Sequence, residues 1–170
     1  AYQRKDAWTW EHMALTRART VAGPVGLRAR IDKEIHAILT GPRDFDKLRT
    51  DVSSMRRLIS EEKPSRGPLD IKYRPGGLVD VEFLAQYLTL RHAAAHPEIL
   101  GSNTAKTFER LGQAKCLTET QAQDLKEATH IWLRFHGFLR LTIGDAPKND
   151  DDLTEGLKAT LAKVMQVKDY

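Results

Sequence analysis

Asp80 and Glu82 interrupt the apolar run LVDVEFLAQYL, residues 78–88, and Gln86 follows them inside it. On a helix, two residues so spaced point in different directions. Glu82 shares a side with Val79, Phe83, Gln86 and Leu90, whereas Asp80 lies with Leu84 and Tyr87. By themselves they are therefore not expected to form an acid/base or metal-binding pair. Asp80 falls in the first turn, where a carboxylate caps free backbone N–H groups and opposes the helix dipole. Glu82 falls deeper, and an isolated buried charge is very costly. It calls for a cation, and the sequence offers Lys72 just before the turn and Arg17 and Arg19 in an earlier helix. Breaking a buried pair of that kind costs about 3–5 kcal/mol. A structural pair is the default reading. The sharper alternative is that these groups line a polar site facing a partner domain.

Gly76 and Gly77 precede the run, with Lys72 and Arg74 close by. Exposed N–H groups at a helix start attract anions. Gly-Gly more often serves a tight turn or close packing, and the spacing is neither a P-loop nor a dinucleotide fingerprint. His92 and His96 stand four apart, which is metal-ligand spacing, but no HExxH pattern surrounds them and surface histidines are the better reading. Cys116 has no activating neighbour in sequence, and no Ser-His-Asp constellation can be assembled. No catalytic residue and no metal ligand is assigned.

The elements that must position these residues are helical, because helical periodicity runs through the chain and strand signals are nearly absent. The pattern predicts a first helix over 6–22 with Trp8 and Trp10 in the core, closed by Gly23-Pro24. A second spans 25–39 with a stripe of Leu27, Ile31, Ile35 and Ile38. A third begins near Asp44 with Phe45, Leu48, Val52, Met55 and Ile59 inward, and with Arg49, Arg56, Arg57, Glu61, Glu62 and Lys63 on its other face. The stretch KPSRGPLDIKYRPGG reads as a loop with a short extended piece at 69–73. A fourth helix, over 78–96, is apolar nearly all round and so belongs in the middle of a bundle. A fifth covers 103–113. Thr118 caps a long sixth, with a stripe of Leu125, Ala128, Trp132, Phe135, Leu139 and Thr142. GDAPKNDDD is a second loop, and Leu153, Leu157, Leu161 and Val164 mark a last helix. The sum is an all-α, up-and-down antiparallel helical bundle, one domain over 1–170.

Composition bounds the partners. The chain of 170 residues can bury a real core, and its 41% apolar and 29% charged residues are ordinary for a globular domain. A net charge of +4, with charges interspersed, is too small to argue for nucleic acid. One cysteine excludes a disulfide framework and suits a reducing, cytoplasmic setting. No stretch is long and apolar enough for a membrane span. The opening AYQRKDAWTW, already in helical register, reads as the start of a piece cut from a larger polypeptide.

Three segments together carry a resemblance. AWTWEHMALTRARTVAG, then MRRLI followed by LDIKYRPGGLVDVEFLAQYLTLRHAAAHPEIL, then LKEATHIWLRFHGFLRLTIG resemble the helical domain of bacterial glutamine synthetase adenylyltransferase, over residues 1 to about 143. That resemblance implies a helical bundle of the nucleotidyltransferase-associated, substrate-binding type. It implies a two-headed enzyme, each half a nucleotidyltransferase domain followed by such a bundle, one half attaching AMP to a tyrosine of glutamine synthetase and the other removing it by phosphorolysis. The wording of the second segment is closer to the C-terminal, adenylylating half. The bundle of the adenylyl-removing half, that of a PII uridylyltransferase, and a free-standing interaction module are the alternatives. Mg and ATP serve the full enzyme. Glutamine synthetase, the PII signal protein and the adjacent nucleotidyltransferase domain are the implied partners. The Gly-Ser loop and paired aspartates of a nucleotidyltransferase are missing from this sequence, so the chain is expected to be inactive alone. The matching positions are Glu11, Arg17 and Arg19 in the first segment, and Asp70, Lys72, Gly76, Gly77, Asp80 and Glu82 in the second. With Arg74, the basic and glycine positions form the expected interdomain site. Glu11, Asp70, Asp80 and Glu82 form the expected ion-pair network.

Overall fold

The computed structural model describes residues 2, 7–67, 69–144 and 153–165. Among these there is no strand; the chain is all-α. Its helices are α1 (Thr9–Leu15), α2 (Val25–Leu39), α3 (Phe45–Glu62), α4 (Leu78–His92), α5 (Thr104–Gln113), α6 (Glu119–Thr142) and α7 (Glu155–Met165), with a 3₁₀ turn at Pro97–Ile99.

Local chemistry sets most of these ends. The Asp44 carboxylate accepts from the amides of Asp46 and Lys47 and starts α3. Asn103 accepts from the Lys106 amide and starts α5. Thr118 and Gln121 exchange side chain and backbone in a capping box that opens α6. Two helices are shorter than their sequence pattern suggests. The first, expected over 6–22, stops at Leu15. The Thr16 hydroxyl donates back to the Met13 carbonyl at 2.7 Å, and the amides of Arg17 and Ala18 bond three residues back, which tightens and ends the turn. Asp6 lies outside the described residues. The fourth, expected to reach residue 96, stops at His92 because Pro97 follows and the chain turns through Ala93–Ala95 before it. Of the loop GDAPKNDDD, all but Gly144 lies outside the described residues.

Helix α4 is the shared wall of two apolar clusters. Val81, Ala85 and Leu88 pack with Ala93, Ile99, Phe108 and Leu111, against which Leu125 and Trp132 of α6 are laid. Leu90 packs instead with Met13, Leu39, Leu48 and Val52. A helix touched by α1, α3, α5 and α6 must be apolar on most of its circumference, as its sequence is. Each fully buried side chain of this size contributes about 1.5–3 kcal/mol. The N-terminal stripes are less buried than their periodicity suggests. Leu27, Ile31 and Phe45 are exposed, as are Trp8 and Trp10, at 69% and 50%. The two tryptophans are therefore not core residues: α1 buries Met13, and with only seven residues it has one inward turn.

Candidate functional site

The loop between α3 and α4 folds over the start of α4 and makes the polar centre of the molecule. Residues 69–73 form turns rather than the expected extended piece, through bonds from the Ile71 amide to Leu69 and from the Arg74 amide to Asp70. The loop then feeds straight into α4: the amides of Gly77, Leu78 and Val79 bond to the carbonyls of Arg74, Ile71 and Lys72 at 3.0, 2.8 and 3.1 Å. The Gly76 amide donates to Asp80 at 2.6 Å. The amides of Gly76, Gly77, Leu78 and Val79, which would greet an anion at this turn, are thus already bonded within the chain. The glycines have different reasons to be there. Gly76 has φ +76°, which disfavours a side chain, whereas a Cβ on Gly77 would run into the carbonyl oxygens of Ile71 and Arg74.

The two carboxylates of α4 face different neighbours. Asp80, besides holding Gly76, is paired with Arg56 of α3. Arg56 also reaches Ser60 and donates to the Tyr73 carbonyl at 3.1 Å, so one guanidinium ties α3, the loop and α4 together. Glu82 accepts from Arg17 at 2.7 Å, joining the turn after α1 to α4. That pair is not deeply buried: the side chains are 48% and 25% exposed, because Arg17 lies beyond the end of its helix. Lys72 does not serve Glu82. Its ammonium lies 5.0 Å from the centre of the Tyr73 ring, with Lys63 also facing that ring at 5.6 Å.

The remaining positions singled out in the sequence are spread around this centre. Asp70 is buried, and its carboxylate accepts from the Arg66 amide at 3.1 Å. Glu11 accepts from the Trp8 amide at 2.8 Å and from the Tyr2 hydroxyl at 2.9 Å, capping α1. Arg19 lies apart, exposed beside a pocket lined by Thr20, Asp32 and His36. Arg74 lies within the loop, its carbonyl engaged by Gly77.

Four residues contribute here beyond those expected from the sequence: Arg56, Trp132, His136 and Arg140. Arg56 was placed on the polar face of α3, although its spacing with Val52, Met55 and Ile59 follows the i, i+4, i+7 inward pattern. Trp132 donates its indole N–H to the Gly76 carbonyl at 3.0 Å, holding the turn from across the fold. His136 and Arg140 of α6 face the loop across a cavity of about 460 Å³ that Lys63, Arg66, Asp70, Lys72 and Tyr73 also line. Only the packing of α6 on α4 brings these last two there. Burial lowers the pKa of His136, and the charges of Lys72 and Arg140 lower it further, against weaker pulls from Glu82 and Asp70. Burial works to raise the Tyr73 phenol, but hydrogen bonding and charge from Lys72, and then from Lys63, carry it down. Among the described residues no group of three His, Cys, Asp or Glu side chains comes together to hold a metal ion, and no helix is long and apolar enough to cross a membrane.

The described residues form an all-α scaffold whose polar centre organises the loop before α4. The family described as GlnD PII-uridylyltransferase matches residues 47–170, and that described as glutamate-ammonia ligase adenylyltransferase matches residues 1–34. The chain is similar to bifunctional glutamine synthetase adenylyltransferase/adenylyl-removing enzymes, at 42% identity over 156 residues (90% of this chain) in Rhodopseudomonas palustris strain TIE-1. The Xanthobacter autotrophicus relative is 40% identical and the Bradyrhizobium sp. BTAi1 relative 39%, each over 169 residues, or 99% of this chain. The chain therefore belongs to the family described as GlnD PII-uridylyltransferase, and the relatives it is similar to are glutamine synthetase adenylyltransferase/adenylyl-removing enzymes. It spans 16–17% of the length of these relatives.

Proposed function

We propose that residues 1–170 are one helical domain, an up-and-down bundle that works beside a nucleotidyltransferase domain of a longer enzyme. That enzyme transfers AMP from ATP to a tyrosine of glutamine synthetase in the cytoplasm, and this bundle belongs to its C-terminal, adenylylating half. Mg and ATP are held by the companion domain. The chain's own residues shape and brace the cleft, and glutamine synthetase and the PII signal protein are met by the assembled enzyme. The observation that carries this reading is similarity to the adenylyltransferases over 90–99% of the chain. The geometry agrees with it. Arg56, Asp80 and Trp132 hold the loop before α4 in one shape, and Trp8 and Trp10 expose large apolar surface of the kind a neighbouring domain covers. Lys72, Arg74, Gly76 and Gly77, with Arg17 and Arg19, are the positions proposed to face that domain. The match of residues 47–170 to the PII-uridylyltransferase family favours, as a second reading, the same bracing role beside a uridylyltransferase domain.

The test replaces the matching segment of the Rhodopseudomonas palustris enzyme with this chain and measures AMP incorporation into glutamine synthetase. Retained transfer, reduced by Trp10→Ala, is expected. A chimera that only removes AMP would move the chain to the other half, and one that modifies PII alone would sink the assignment in favour of the second reading.

A further inference from the structure

The anion-binding reading of the Gly76-Gly77 turn fails because its N–H groups are spent, but the preceding part of the same loop, facing α6, has the chemistry that the turn lacks. The cavity of about 460 Å³ between the loop and α6 is lined by four permanent cations, Lys63, Arg66, Lys72 and Arg140, and by two carboxylates, Glu62 and Asp70. Among the described residues none of these four cations forms a side-chain salt bridge with a carboxylate. Lys63 and Lys72 converge instead on the Tyr73 ring. Asp70 is buried and committed to the Arg66 amide. Among the described residues, the lining thus carries two more positive than negative charges.

We infer that this cavity is a binding site for a small organic phosphomonoester. Charge and size point there together. A phosphomonoester carries close to two negative charges at neutral pH, which matches the surplus. The volume falls in the range of small-molecule sites and exceeds what a bare phosphate fills. Leu69, Leu139 and the Tyr73 ring line the remaining space and suit an organic group. A nucleic-acid strand would call for a long basic stripe, whereas this charge is local and the whole chain is only +4. Burial comes first in lowering the His136 imidazole, and Lys72 and Arg140 add to it, while at the Tyr73 phenol burial works upward and Lys72 and Lys63 carry it down, so positive charge is sensed from two elements. The site stands on this geometry alone and does not depend on the adenylyltransferase reading.

The His136 imidazole, which lines the cavity, is the reporter. Its proton resonances are followed by NMR through a pH titration of the 170-residue chain, with inorganic phosphate or phenyl phosphate added and sodium chloride as the ionic-strength match. Either anion is expected to raise the His136 pKa where chloride does not, by offsetting the field of Lys72 and Arg140. Phenyl phosphate is expected to bind more tightly than phosphate, and Arg140→Gln and Lys72→Gln are each expected to weaken it about tenfold. Lys106→Gln, at an exposed position on α5, serves as the control and is expected to change nothing. Equal affinity for the two anions would overturn the organic part of the assignment. A His136 titration that responds no more to either phosphate than to chloride, or binding indifferent to both Lys72 and Arg140, would overturn the site.

Discussion

The two ends of α4 are stabilised by different physics. Around its second half, Leu88 packs with Ile99, Phe108 and Leu111, each of these three with no measurable exposure, and no polar contact is needed to hold them. At its first turns the fold is held by directional bonds: Asp80 to Arg56 and Gly76, Glu82 to Arg17, Trp132 to the Gly76 carbonyl. The apolar contacts tolerate little change in volume and carry no charge of their own. The polar end has its geometry fixed atom by atom, and each tie is worth far less. A scaffold that must present a loop to a neighbour gains from this division, because the loop can be held in one shape without being buried.

Breaking the apolar end should have the largest effect. Phe108→Ala is expected to cost about 3–5 kcal/mol, read as a fall in the denaturant midpoint, because the site is closed on all sides and cannot collapse. A loss under 1 kcal/mol would mean that α5 is not the closed wall described here. At the polar end, Arg56→Met keeps the aliphatic stem but strands Asp80 and the Tyr73 carbonyl. A loss of about 1–3 kcal/mol is expected. Hydrogen exchange should show the Gly76–Val79 amides opening faster in this variant. Unchanged exchange there would separate Arg56 from the loop. The smallest effect belongs to Glu82→Gln. The sequence expectation of a buried pair gives about 3–5 kcal/mol, but with Arg17 half exposed the pair falls with surface salt bridges, at about 0.2–1 kcal/mol. A double-mutant cycle with Arg17→Ala in low and high salt measures it. A coupling above 2 kcal/mol that salt leaves untouched would restore the buried-pair view.

The sequence by itself determined most of the helices, starts near Asp44 and Asn103, the cap at Thr118 and the central place of α4, because periodicity and capping are local and a helix apolar all round has only one place to go. It also narrowed the partner of Glu82 to three cations. It misjudged α1, where a Thr16 back-bond outweighed an apolar pattern, and it put the tryptophans inside on residue type alone. Tertiary structure decided which cation meets Glu82, that Arg56 turns inward to Asp80, and that His136 and Arg140 stand across a cavity from Lys63, Arg66 and Lys72. Arg56 and Asp80 stand 24 positions apart, and Arg17 and Glu82 stand 65 apart. Electrostatic partners at those separations are fixed by how helices pack, and no spacing rule along a single helix contains that information.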